Sequence, residues 1–118
     1  MVDVRLKRAY EPASRSDGYR VLIDRIWPRG VSKEEARLDE WARELAPSTE
    51  LRRWFDHEPA KFDEFRRRYR AELAGHEQKL RELRRRARGG TLTLVYGARD
   101  TEHNDAVVLA ELLRRSSR

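Results

Sequence analysis

The sequence contains no cysteine among its 118 residues. Disulfide bridges, a thiolate nucleophile and cysteine-based metal sites are therefore excluded, and the composition fits a reducing compartment. A long apolar run is also missing at the start, where residues 1–7 alternate apolar and charged side chains, unlike a signal peptide or a membrane-spanning helix. We therefore expect a soluble cytoplasmic protein with no membrane partner. Its length predicts a single domain over residues 1–118, and the strand and helix patterns described below predict that this is an α/β domain.

The positive charge of the chain is concentrated in one segment. Residues 61–88 hold 11 of the 27 basic residues and 5 of the 21 acidic residues, which accounts for the whole net charge of +6. Such a surplus of positive charge suggests nucleic acid or another polyanion as a partner. Most of these basic residues are arginine. A GC-rich genome also favours arginine, and this weakens the interpretation that the charge serves to bind nucleic acid.

Three segments have the pattern of strands. Residues 2–7 alternate with period two, as in a half-buried or edge strand. Residues 19–24 and 91–96 are largely apolar and β-branched, as in buried strands, and Asp17-Gly18 marks a turn before the first of them. We therefore expect a sheet of about three strands.

Helices are predicted between and after these strands. Ser32 and Glu35 fit a capping box that starts a helix reaching Leu45, and Ser48 caps a short second helix. Apolar residues at steps of three and four predict one long Arg-rich helix, or two broken near Gly75. This stripe consists of Phe62, Phe65, Tyr69, Leu73, His76, Leu80, Leu83 and Ala87. A last helix follows residue 101.

The order of these elements predicts a mainly parallel sheet flanked by helices. A long helical crossover between neighbouring strands makes them parallel, so their carboxyl ends lie on one edge. Ligands of open α/β sheets bind outside that edge, where helix N-termini also point. Two polar clusters are predicted there, at residues 24–30 and 97–104.

Several short motifs are specific enough to suggest a family. They are Trp27-Pro28-Arg29-Gly30, Asp17-Gly18-Tyr19-Arg20, Pro47-Ser48, Arg68-Tyr69 and His103-Asn104. With them, nearly the whole chain resembles the YeaO-like branch of the domain of unknown function 488 family. The resemblance implies a small α/β domain with polar motifs at strand ends, and no activity, because the family is uncharacterised. The wider superfamily often has Cys-His-Arg where this chain has His103-Asn104, and close relatives more often have lysine in place of Arg99.

The first polar cluster predicts an anion site. Arg25 and Arg29 flank Trp27 on a loop constrained by Pro28, which would preorganise two guanidinium groups for a carboxylate or phosphate. In the alternative interpretation, Asp24 and an arginine form an internal ion pair that fixes the loop, while Trp27 covers the core.

The second polar cluster predicts acid–base chemistry. Arg99, Asp100, His103 and Asn104 follow a strand, and a histidine beside a carboxylate is the minimal apparatus for proton transfer near neutral pH. Alternatively, Asp100 or Thr101 caps the last helix and Asn104 bonds the neighbouring loop. Both interpretations stay open at this point.

The remaining histidines do not predict a metal site. His57 has no second histidine three or four residues away and is interpreted as a surface or loop residue. His76 lies in the apolar stripe, as a partly buried structural histidine would. We predict no metal and no cofactor, and the sequence has neither a serine-hydrolase elbow nor a glycine-rich phosphate loop.

Two hypotheses of function follow. In the first, Arg25, Trp27, Arg29, Arg99, Asn104 and the N-terminus of the last helix bind a small anion such as a nucleotide or phosphometabolite. Asp24, Asp100 and His103 would then be the catalytic candidates in a hydrolase or transferase reaction. In the second, the Arg-rich helix 61–88 binds nucleic acid or an acidic protein without catalysis. Glu-first pairs such as Glu64 with Arg68 explain part of that helix without a partner. Neither substrate nor oligomeric state follows from the sequence.

Overall fold

The computed structural model describes residues 3–115, so Val2, the first residue of the predicted strand 2–7, lies outside them. The strands are β1 (Asp3–Arg8), β2 (Tyr19–Leu22), β3 (Glu40–Trp41) and β4 (Thr91–Tyr96). The helices are α1 (Lys33–Ala36), α2 (Thr49–Phe55), α3 (Phe62–Leu73), α4 (Glu77–Arg86) and α5 (Asp105–Arg115). A short 3-10 turn, Ala74–His76, joins α3 to α4. Within residues 3–115, no helix is long and apolar enough to cross a bilayer.

The sheet has the order β1-β4-β2-β3, and every neighbouring pair is parallel. This confirms the predicted parallel α/β fold, with β4 in the centre and one strand more than the pattern indicated. Because all four strands run in the same direction, the segments after β2 and β4 leave the sheet at the same edge.

The predicted helix from Ser32 to Leu45 is wrong beyond its first turn. The capping box forms, since the Glu35 N–H donates to Ser32 Oγ at 3.1 Å and the Ser32 N–H donates to the Glu35 carboxylate at 3.1 Å. However, Arg37 has a left-handed backbone (φ 44°) that ends α1, and the chain continues as the edge strand β3. Backbone hydrogen bonds to β2 outweigh the helical pattern of Leu38 and Trp41 here, because carbonyls of β2 accept from the N–H groups of Asp39 and Ala42.

A buried arginine fastens this segment to the sheet. Arg20 is 3% exposed and donates to the Ala36 carbonyl from Nε (3.0 Å) and Nη2 (2.7 Å), at the end of α1. Its Nη1 donates to Asp17 Oδ2 at 2.7 Å, and Lys7 donates to the same carboxylate at 3.1 Å. Arg20 thus forms a buried ion pair and also caps the C-terminus of α1.

The turn predicted at Asp17-Gly18 packs against the central strand. Gly18 has φ 63°, and a Cβ at this position would lie 2.2 Å from the Thr91 carbonyl oxygen. Thr93 Oγ1 also donates to the Asp17 carbonyl at 2.6 Å. Only glycine allows so close an approach between this turn and β4.

The main core lies on one face of the sheet. Helices α2 to α5 cover this face, and the apolar stripe of α3 and α4 is buried there apart from the partly exposed His76. Ser48 caps α2 as predicted, accepting from the Leu51 N–H at 3.1 Å, and donates to Glu72 of α3 at 2.6 Å. A smaller cluster on the other face contains Leu22 and Val95, covered by Trp27 and Trp41.

Candidate functional site

A cleft of about 1020 Å³ opens at the carboxyl edge of the sheet. Three chain segments and one residue of α3 line it: residues 24–26 after β2, residues 47–57 in and around α2, residues 97–105 from the end of β4 to the start of α5, and Phe65. Its volume is at the upper end of the range found for small-molecule sites, roughly 300–1,000 Å³. The two predicted polar clusters therefore meet at one cleft, through Asp24 and Arg25 on one side and Arg99 to Asn104 on the other.

Two carboxyl groups form the most unusual contact of the cleft. Asp24 follows β2 and Asp105 is the first residue of α5, and their side chains hydrogen-bond to each other. Asp24 Oδ2 also accepts from the Gly97 N–H at 2.7 Å. A Cβ at position 97 would lie 3.2 Å from this oxygen, so a glycine here lets the carboxylate approach the backbone.

The pKa values of both carboxyl groups are shifted in the same direction. Burial raises the pKa of both, and the negative charge of Asp24 raises the pKa of Asp105 well above its ordinary value. The hydrogen bond with Asp105, the Gly97 N–H and the positive charge of Arg52 act to lower the pKa of Asp24, so the surroundings favour Asp24 as the anion of the pair. Asp105 is therefore the group that keeps a proton more readily, and its carboxyl group is the donor in the hydrogen bond to Asp24.

Four arginines line the cleft, Arg25, Arg52, Arg53 and Arg99, and we call them the cleft arginines. All four are exposed. Within residues 3–115, none of their side chains forms a hydrogen bond or an ion pair. Their guanidinium groups therefore keep all of their donors for a bound molecule.

His57 lies beside these arginines on a loop after α2. Asp56 and His57 both have left-handed backbones, with φ 47° and φ 55°. Two consecutive non-glycine residues in this region store backbone strain, which is typical of functional sites. The interpretation of His57 as an exposed loop residue agrees with this placement, but the sequence did not indicate that His57 lines the cleft.

Asp100 and His103 form a hydrogen-bonded pair at the opposite wall. His103 Nδ1 lies 2.9 Å from Asp100 Oδ2, and the other oxygen of Asp100 accepts from the backbone N–H groups of Glu102 and His103. The Glu102 N–H and the His103 contacts lower the pKa of Asp100, so its carboxylate stays ionised. With Nδ1–H donated to Asp100, a neutral His103 presents Nε2 as an acceptor.

Asn104 holds the start of α5. Its Oδ1 accepts from the Val107 N–H at 3.0 Å, its Nδ2 donates to the Asp100 carbonyl at 2.8 Å, and its side chain is almost fully buried. Asp105 Oδ1 also accepts from the Ala106 N–H at 2.9 Å. Two donors at this N-terminus are therefore occupied by the chain itself, which weakens the expectation that α5 holds an anion there.

Trp27 and Arg29 lie outside the lining of the cleft. Trp27 Nε1 donates to the Val31 carbonyl at 2.6 Å, and its ring packs edge-on against Trp41 at 5.3 Å. Trp41 in turn donates to the Asp24 carbonyl at 2.7 Å, so the two rings support the loop that carries Asp24. Arg29 is exposed on the turn.

Sequence reasoning missed Arg52, Arg53, His57 and Asp105. Asp105 directly follows the second polar cluster, and its place at a helix start looked like an ordinary acidic first turn. The other three come from α2 and the loop after it, and no local pattern shows that α2 packs beside the ends of β2 and β4. Within residues 3–115, no three carboxylate or histidine side chains gather as a metal site would require.

Comparisons with known proteins place this chain among uncharacterised relatives. The chain is 50% identical over 113 residues to uncharacterized protein YeaO of Escherichia coli, covering 96% of this chain and 98% of that protein. It is 45% identical over 111 residues to uncharacterized protein Rv3073c of Mycobacterium tuberculosis, covering 93% and 92%. No solved structure gives a significant match. The family model described as "Inactive DUF488-N3 subclade" matches residues 3–118, and the chain therefore belongs to this subclade of the domain of unknown function 488.

Proposed function

We propose that the cleft binds a small anionic molecule of the nucleotide or phosphorylated-metabolite type. The observation that carries this proposal is the convergence of the four cleft arginines on one concave site without protein partners. Guanidinium groups form charge-assisted and often bidentate hydrogen bonds with phosphate and carboxylate groups. A ligand with such groups would satisfy donors that the described part of the chain leaves free.

The structural alternative for the first cluster has less support. It requires an ion pair between Asp24 and an arginine of the same loop. Asp24 instead bonds to the Gly97 N–H and to Asp105, and it forms no ion pair with an arginine within residues 3–115. Arg25 is therefore available for a ligand.

Catalysis is not part of this proposal. A hydrolase or transferase reaction, with proton transfer by Asp24, Asp100 or His103, stays a prediction. The family is described as an inactive subclade, which favours binding without turnover. The hydrogen-bonded Asp100–His103 pair is compatible with either role.

Binding of nucleic acid or an acidic protein by the Arg-rich helix stays the alternative, and the contacts of that helix favour it less. Arg66 and Arg70 pair with Glu111 of α5, while Arg67 and Arg68 pair with Glu64. Arg81 pairs with Glu77. Much of the charge is thus compensated within the chain, which lowers the attraction for a polyanion.

The proposal predicts that phosphate compounds stabilise the protein. Because a ligand that binds only the folded state raises its stability, inorganic phosphate and AMP at millimolar concentrations should raise the melting temperature. Replacing Arg52 with glutamine should weaken the binding of AMP about tenfold or more, as expected for the loss of a charge-assisted hydrogen bond. Thermal shift and isothermal titration calorimetry measure the two effects.

A matched control is Arg85→Gln, which removes an exposed arginine from α4, away from the cleft. This variant should bind AMP like the unchanged protein. If no phosphate compound changes the melting temperature, or if Arg52→Gln and Arg85→Gln behave alike, the cleft is not the anion site.

A further inference from the structure

We propose that the Asp24–Asp105 pair recognises hydroxyl groups, so that the ligand of the cleft is a phosphorylated polyol, such as a sugar phosphate or a ribonucleotide. This inference rests on the proposed anion binding and names its substrate class. It starts from the placement of two hydrogen-bonded carboxyl groups in the same cleft as four unpaired arginines.

A plain anion would gain nothing from the carboxyl pair. The cleft arginines attract a phosphate, whereas the negative charge shared by Asp24 and Asp105 repels it. The pair becomes favourable only if another part of the ligand offers hydrogen-bond donors. A ligand with an anionic end and neutral donors at a distance from it fits both halves of the cleft.

The hydrogen bonds of the pair leave acceptor capacity toward the cleft. Asp24 Oδ2 accepts from the Gly97 N–H, Asp105 Oδ1 accepts from the Ala106 N–H, and the two side chains hydrogen-bond to each other. An ionised carboxylate has about four lone-pair positions, so the two groups together keep several acceptors free. Neighbouring hydroxyls of a polyol present two donors close together, which matches two adjacent carboxyl groups.

Cationic donors fit this part of the cleft less well than hydroxyls. Four arginines line the cleft, and the positive charge of Arg52 acts on Asp24. An ammonium group would therefore meet like charges beside the carboxyl pair. Neutral hydroxyl donors avoid this repulsion.

The experiment compares two phosphate esters of similar length on the full chain. Ribose 5-phosphate carries hydroxyls and n-pentyl phosphate carries none, and calorimetry at pH 7 measures both affinities. We expect ribose 5-phosphate to bind about tenfold or more tightly, because hydrogen bonds to a charged acceptor are among the stronger ones. AMP as a third probe shows whether a ribonucleotide or a sugar phosphate is preferred.

Variants assign the preference to the pair. In Asp24→Asn the amide oxygen keeps the Gly97 hydrogen bond, but the NH₂ group puts a donor where the carboxylate had an acceptor, so the preference for ribose 5-phosphate should fall to about twofold or less. Asp105→Ala, which removes the partner carboxyl, is the second variant and should reduce the preference as well. Asp63→Asn, with a 99% exposed side chain on α3, is the control and should leave the preference unchanged.

The outcomes separate the two proposals. Hydroxyl recognition is overturned if the two esters bind equally, or if the preference for ribose 5-phosphate survives in both Asp24→Asn and Asp105→Ala. Either result leaves the anion site intact. If inorganic phosphate and both esters fail to bind, the proposed function itself is wrong, and hydroxyl recognition falls with it.

Discussion

Replacing Arg20 with methionine is expected to lower the free energy of unfolding by about 3–5 kcal/mol, the range for breaking a buried ion pair from one side. Methionine fills a similar volume but leaves the Ala36 carbonyl without its two donors. It also leaves the buried Asp17 carboxylate with fewer partners, although the Ser14 N–H and Lys7 still donate to it. Urea unfolding followed by circular dichroism measures the change.

The matched control is Arg85→Met, which exchanges the same residue types at an exposed position of α4. Surface substitutions of this kind usually change stability by less than about 0.5 kcal/mol. A loss below about 1 kcal/mol for Arg20→Met would mean that the end of α1 finds other donors and that Arg20 does not fasten the segment to the sheet.

Replacing Asp105 with asparagine is expected to stabilise the protein at pH 8, because burial and the neighbouring Asp24 carboxylate disfavour an ionised side chain at position 105. The folded state raises the pKa of Asp105, so it binds a proton that the unfolded chain releases above its ordinary pKa of 3.8. Stability of the unchanged protein therefore falls as the pH rises from about 4 toward the folded-state pKa. Asparagine donates to Asp24 at every pH and removes this loss.

The helix dipole opposes this gain in stability, because it favours an ionised side chain at position 105, in the first turn of α5, by about 0.3–1 kcal/mol. This contribution is smaller than the expected cost of burying the charge. Melting temperatures from pH 4 to pH 9 test the prediction: the difference between Asp105→Asn and the unchanged protein should grow with pH, while Asp63→Asn should show no such trend. If the melting temperatures of Asp105→Asn and the unchanged protein differ by the same amount at every pH, Asp105 ionises as an ordinary surface carboxylate.

The sequence predicted the features of the fold that local patterns encode. The parallel arrangement of β2 and β4, the caps at Ser32 and Ser48 and the stripe of α3 and α4 are all observed. The strand β3 was missed because its conformation depends on partners distant in the sequence: Arg20 holds the end of α1, and Asp39 accepts from the Arg20 N–H at 2.8 Å.

The candidate site was predictable to the extent that it depends on strand ends. Asp24, Arg25 and Asp100 were expected at one edge because they follow parallel strands, and they line one cleft. The contribution of α2 was not predictable, since its position depends on packing against α3 through contacts such as Ser48 with Glu72. The raised pKa of Asp105 likewise follows from burial, which composition does not show.

The outer border of β1 bears on whether a strand of another molecule can add to the sheet. Only one side of β1 pairs with β4, so alternate backbone groups of this strand face away from the sheet, where another chain's strand could add. Arg114 donates to the Val4 carbonyl at 2.6 Å, and Glu11 accepts from the Arg8 N–H at 2.9 Å. Two of the outward groups are thus taken by the chain's own side chains, and charged residues alternate along the strand. A second molecule would have to displace these contacts before it could extend the sheet, which protects the protein from aggregation through this border.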